Sequence, residues 1–272
     1  MSAPAVARGA VKRAAAAADV VRRPPSGITV LIYHRVGART PVPVDLPTQL
    51  FAEQVATVAG RATTLDDALA TLAGPASPEQ PARDVVVTFD DGTADVVEEA
   101  LPVLVEHRVP ALLYLATHHV EAGEPFPDDG RPASWSALAD ALSTGWLEIG
   151  SHTHSHALLD RLPPDLVAPE LDRSVGLIRE RLGVDPVHFA YPKALPGSAA
   201  ADALVRDRFR SAALAGTRRN VVGRTDPFAL ARSPVQVADG LRWFSRKVDG
   251  GMGLEDDLRR TVNRVRHRTA SR

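Results

Sequence analysis

Two adjacent carboxylates, Asp90 and Asp91, close the apolar, β-branched run Val85 to Phe89 in "VVVTFDDGT", and Gly92 follows them. Asp-Gly pairs end strands routinely as turns, so by themselves they require no chemistry. Further along, "IGSHTHSHALL" places His152, His154 and His156 at alternate positions. In a helical turn His152 and His156 share a face, and in an extended segment all three histidines do. Either way two imidazoles can grip one metal ion. A nearby carboxylate then completes a two-histidine, one-carboxylate site with open positions for water. Taken alone a HisxxxHis pair is only moderately specific, and an exposed polar turn is its plain explanation.

What separates chemistry from turns is where the polar residues fall along the chain. Strand-like runs end in Tyr33-His34, Asp90-Asp91, Ser151-His152 and Tyr191-Pro192. Between them helical patterns alternate with strands. Phe51, Val55 and Val58 fall on one helix face, Thr64 caps "LDDALATL", Ser134 caps the helix after "SWS", and Leu166 to Leu182 is helical with Gly183 just past its end. Ala94 to His107 is expected to be a helix despite Pro102. "ALLYLAT", "WLEIGS" and "VHFAYP" are strands, "AAADALVRDRF" is a helix, and "SAALAG" and "ALARSPV" are weaker strands. Such alternation favours a parallel sheet covered by helices, in which catalytic groups gather at the carboxyl ends of strands.

Composition narrows the classes. With 272 residues, 44% hydrophobic and 24% charged, the chain can bury a substantial core. A net charge of -1 argues against a nucleic-acid partner. Without cysteine, disulfides and thiolate zinc sites are excluded, so a metal must rest on histidine and carboxylate. The first residues, to Arg23, are alanine-rich and basic, but Arg8, Lys12, Arg13 and Asp19 interrupt any signal-peptide core. No stretch is long enough to span a bilayer. The basic ends, including "LRRTVNRVRHRTASR", would suit weak contact with an anionic membrane surface, although a solvated helix face explains them more simply. These features lead us to expect a cytoplasmic protein, at most peripheral to a membrane.

In combination, "TFDDG", "SHTHSH" and "FAYP" resemble the motifs of the polysaccharide deacetylases with a NodB-homology domain, carbohydrate esterase family four. The intervening "ALPVL" and "VPALLYLAT", and the later "DPFALARSPV", resemble that family too, so the likeness spans roughly residues 28–240. It implies an α/β fold, a distorted (β/α) barrel in a single catalytic domain over 26–240, flanked by a basic extension over 1–25 and a helical basic tail over 241–272. The activity implied is metal-dependent removal of N-acetyl groups from an N-acetylated sugar or glycan, with zinc the usual ion. By position, Asp91, His152 and His156 become the metal ligands and Asp90 the general base. The backbone N–H of Tyr191 would hold the oxyanion.

The departures from the family pattern are informative. The C-terminal histidine that serves many relatives as general acid is missing, since only His267 follows His188, and the resemblance leaves His34 in "LIYHRVG" as its expected substitute. Ala190 stands where the commoner third motif has a base-orienting arginine, a role left to Arg232 in "LARSPV". Lys193 stands where an aromatic residue is frequent, and Ala194 replaces a glycine. His118, His119 and His154 are set aside as solvent or supporting residues, and Trp135, Trp146, Trp243 and Phe244 as packing residues, with Trp243-Phe244 the weaker candidate for a sugar platform.

Rival readings fare less well. A haloacid-dehalogenase-type phosphatase would need an aspartate where Phe89 stands. A non-haem iron oxygenase would not be expected on alternating strands and helices. A carbohydrate-binding relative that has lost turnover is the alternative from another class, favoured only by the altered third motif.

Overall fold

The computed structural model describes residues 24–76 and 79–253, together with Lys12 and Ala15. Seven parallel strands wind into a closed barrel: β1 (Gly27–Tyr33), β2 (Val85–Phe89), β3 (Ala111–Leu115), β4 (Leu147–Ser151), β5 (His188–Ala190), β6 (Ser211–Ala215) and β7 (Leu230–Pro234). Closure comes from β1 pairing with β7, with Val30 opposite Arg232 and Ile32 opposite Pro234. A short antiparallel strand, Asn220–Val221, adds to the start of β1. The expected α/β barrel in one domain is therefore what the chain forms.

Because strand side chains alternate, each strand serves two cores. Leu31, Tyr33, Val87, Phe89, Leu113 and Ile149 point outward and are covered by the helices. Ile28, Val30, Val86, Leu112, Tyr114 and Leu230 pack together as a second cluster, closed below by Leu65, Ala68 and Leu72 of the helix Leu65–Leu72. That helix begins as the sequence predicts, with Thr64 Oγ1 accepting the Asp67 N–H at 3.2 Å. The period of two carries the inward phase of β1 on to His34, of β2 to Thr88 and Asp90, and of β7 to Arg232. A buried apolar strand interior thus leads directly to polar groups at the carboxyl end.

Two local expectations are refined. The segment expected to be helical from Ala94 to His107 is helical throughout, but it contains a π-helical turn, Val96–Ala100, before the α-helix Leu101–His107. Pro102 has no N–H to return to residue 98, and the wider turn, in which the Leu101 N–H reaches the Val96 carbonyl, absorbs the interruption. "SHTHSH" is neither helical nor regularly extended: β4 stops at Ser151, and Thr153 and His156 have left-handed φ of 67° and 59°.

The helix Gly240–Val248 places Phe244 and Val248 in the outer core, so this part of the expected tail packs with the barrel. Trp243 packs against Ala15 and Met252. Asp239, buried, receives Lys12 Nζ at 2.5 Å and Lys247 Nζ at 2.7 Å. The remainder of 1–23 and residues 254–272, with His267, lies outside the described residues. Among the described residues no helix is long and apolar enough to cross a membrane.

Candidate active site

The DDG turn is built for close approach. Gly92 has φ 108°, and a Cβ there would meet Leu115 Cδ1 at 2.3 Å, so the position excludes a side chain. Asp91 itself is held at φ 75°, an uncommon conformation for a non-glycine residue. Its carbonyl accepts the Ala116 N–H at 2.9 Å, and the Asp90 N–H donates to the Tyr33 carbonyl at 3.1 Å. These bonds tie the turn to both neighbouring strands and send the two adjacent carboxylates in different directions.

Asp90 points into the barrel. Arg232, fully buried, donates through Nη1 to Asp90 Oδ1 at 2.5 Å and through Nη2 to Oδ2 at 2.9 Å. Nη1 also reaches Thr88 Oγ1 at 3.1 Å, and the guanidinium lies over the Tyr114 ring, 4.9 Å from its centroid. Burial by itself would raise the Asp90 carboxyl, but Arg232, with His152 and His34, outweighs it and holds the group at about 2. Asp90 is therefore ionised at neutral pH.

Asp91 points to the histidines. His156 Nε2 lies 3.4 Å and His152 Nε2 3.8 Å from Asp91 Oδ1, and the two rings are 5.0 Å apart. His152 donates its Nδ1–H to the Ala190 carbonyl at 2.7 Å. A carbonyl can only accept, so the neutral ring turns its Nε2 lone pair toward Asp91. Burial, reinforced by the neighbouring His152, pushes His156 down to about 4, which keeps its ring neutral and able to donate a lone pair. One ligand atom from each of Asp91, His152 and His156 lies within 4.8 Å of the others. Two imidazoles and one carboxylate, with the His152 ring oriented by the Ala190 carbonyl, fit a divalent ion such as zinc.

These groups line a cavity of about 260 Å³ shared by His34, Asp90, Asp91, His152, His156, Lys193 and Ala194. Its size is just under the roughly 300–1,000 Å³ of drug-sized ligand sites, which suits a single substituted ring in an open cleft. A larger cavity, about 370 Å³, lies against Leu69, Ala70 and Ala73 and is lined on its polar side by Thr225 and the Asp66–Arg210 ion pair.

Of the seven residues expected at the site, five line the cavity and Arg232 lies beneath Asp90. Tyr191 departs from its expected place. Its N–H donates to the Ala213 carbonyl at 3.1 Å within the barrel, and its phenol donates to Asp202 at 2.8 Å. The amide is thus committed to strand pairing and is not free for an oxyanion. His154 turns away to Thr117 Oγ1, 2.9 Å from its Nδ1, and packs edge-on against His118. Trp135 and Trp146 pack against the outer core. Sequence reasoning missed Thr88 and Tyr114, which cradle Arg232, and the Ala190 carbonyl that orients His152. The inward phase of Thr88 was available from strand alternation, whereas a backbone carbonyl leaves no sequence signal.

Comparison with known proteins agrees with this fold. The family model for polysaccharide deacetylase matches residues 77–211. Among solved structures, IcaB from Ammonifex degensii is 26% identical, with a TM-score of 0.69 over 82% of this chain and 98% of its own. The Streptococcus pyogenes deacetylase PplD, in complex with acetate, is 17% identical with a TM-score of 0.70 over 82% and 99% of the two chains. A polysaccharide deacetylase from Bacillus cereus is 16% identical with a TM-score of 0.68 over 82% and 69%. No curated protein matches the chain in sequence. With the family's motifs standing at the carboxyl ends of the strands of its barrel, the chain belongs to the polysaccharide deacetylase family.

Proposed function

We propose that the protein is a metal-dependent hydrolase that removes N-acetyl groups from an N-acetylated sugar. The observation that carries this is the division of labour between adjacent carboxylates: Asp90 is held by Arg232, while Asp91 faces the imidazoles of His152 and His156. A divalent ion held by Asp91, His152 and His156 would supply Lewis acidity, polarising the acyl oxygen and lowering the pKa of water to about 7. Asp90 takes the proton of the attacking water. A carboxylate at about 2 is a weak base, so its contribution comes from fixed position more than from basicity.

For the developing oxyanion we assign the Lys193 amide in place of Tyr191. It lies on the cavity wall at φ 53° and, among the described residues, makes no backbone hydrogen bond. His34 protonates the leaving amine. Its Nδ1 is buried without a hydrogen-bond partner, so proton exchange falls to Nε2. Arg232 occupies the orienting role vacated at Ala190, which removes the main reason to favour a non-catalytic carbohydrate-binding relative.

The test is acetate release from a panel of N-acetylated sugars, chito-oligomers and lipid- or nucleotide-linked sugars, with zinc-loaded and chelator-stripped protein. Release that disappears on stripping and returns with zinc is the expected result. Zinc bound at one per chain with no acetate from any substrate would sink the proposal.

A further inference from the structure

The chain has 32 basic residues, and only Lys12, Lys193 and Lys247 among them are lysines. Lys12 and Lys247 are buried on Asp239. Lys193 is the exposed one, and it stands on the wall of the reaction cavity. Its backbone is fixed: Pro192 precedes it, the Ala194 N–H returns to the Tyr191 carbonyl at 2.8 Å, and the Leu195 N–H returns to the Pro192 carbonyl at 3.3 Å. Lys193 and Ala194 both take a φ of 53°, so the turn is strained as well as tight. The ammonium forms no ion pair among the described residues.

The acids lining the cavity are already engaged. Asp90 is neutralised by Arg232, and Asp91 faces His152 and His156. A divalent ion on Asp91 would add further positive charge. What remains over is an exposed lysine among the cavity-lining residues that meets no acid among the described residues.

We infer that Lys193 selects an N-acetylated sugar bearing an anionic group, a phosphate ester or a carboxylate, close to the acetamide. This rests on the cavity being the sugar site, and it names the substrate class for that site. The ammonium meets the anion at the rim, where the interaction is only partly desolvated. It contributes selectivity and capture rather than transition-state stabilisation. The four-carbon stem gives it the reach to follow an anion on a neighbouring position of the ring.

The test is calorimetric titration of the zinc-loaded full chain with N-acetylglucosamine, N-acetylglucosamine 1-phosphate and N-acetylmuramic acid. Each is measured with the wild type, Lys193→Met and Lys193→Arg, at low salt and in 0.5 M salt (about three times the physiological ionic strength or more). At low salt one or both anionic sugars should bind about tenfold tighter than the neutral sugar. The advantage should shrink to about twofold or less in Lys193→Met and at high salt, and return in Lys193→Arg. Which anion holds the advantage separates phosphate from carboxylate. Equal affinities in the wild type, an advantage that survives Lys193→Met, or no binding of either anionic sugar would overturn the inference. A Lys193-dependent preference in a chain that releases no acetate would count against the deacetylase proposal alone.

Discussion

Arg232 and Asp90 lie 142 residues apart in sequence and meet in a two-pronged, fully buried ion pair. The pair sits at the seam where β7 closes on β1, so closure of the barrel and orientation of the proposed base are one event. A site assembled in this way should be sensitive to changes that never touch substrate.

The two adjacent aspartates should separate in a metal titration. Asp90→Asn should abolish acetate release while the chain still takes up one zinc, because Asp90 is not among the residues that converge on the ion site. His156→Ala should lose both. Zinc stoichiometry by atomic absorption, beside acetate release, decides it, and full activity in Asp90→Asn would mean that the base lies elsewhere.

Breaking the buried pair should cost stability as well as turnover. Arg232→Met leaves a buried carboxylate alone and should destabilise by about 3–5 kcal/mol in urea unfolding at pH 7. The double variant Asp90→Asn/Arg232→Met should recover part of that loss. The sign with pH follows from Asp90 at about 2, below its unfolded value. Its stabilisation is present above pH about 4 and lost as pH falls toward 2, a change of about 2 kcal/mol that Arg232→Met should erase.

Asp95 should behave in the opposite way. Burial, opposed by the Thr93 hydroxyl and reinforced by Asp45, raises its carboxyl to about 6. A raised acid stabilises the fold below its unfolded value near pH 4, and that contribution is lost as pH rises through 6. Asp95→Asn keeps an acceptor for Thr93 Oγ1, now 2.7 Å from Asp95, and should stabilise the protein by about 1–2 kcal/mol at pH 7.5. A urea midpoint unchanged at pH 7.5 would contradict a raised Asp95.

Gly92→Ala should damage folding and metal uptake together. The added methyl would run into Leu115 on a backbone at φ 108°, and a loss of about 2–3 kcal/mol is expected. Because Asp91 adjoins the turn, zinc affinity measured by competition with a chelator should weaken even in molecules that remain folded. Unchanged affinity would mean that the turn tolerates more than its geometry implies.

Much of the site was legible in the chain because strand periodicity is a local property. An inward residue at Val30 makes Ile32 and His34 inward as well, and Val86 likewise leads to Thr88 and Asp90. Residue type then supplied the candidate ligands, since a chain without cysteine has histidine and carboxylate to offer a metal. Caps at Thr64 and Ser134 were legible for the same local reason.

Residue order alone carries the alternation of strands and helices, the polar strand ends and the candidate donor set. Tertiary structure decided the rest: that Arg232 and no nearer cation holds Asp90, that the Tyr191 amide is consumed by Ala213, and that His152 and His156 meet while His154 turns away. These outcomes depend on which strands become neighbours when the barrel closes and on left-handed residues such as Asp91, Thr153 and His156. Neither pairing partner nor backbone handedness is written in the spacing of side-chain types.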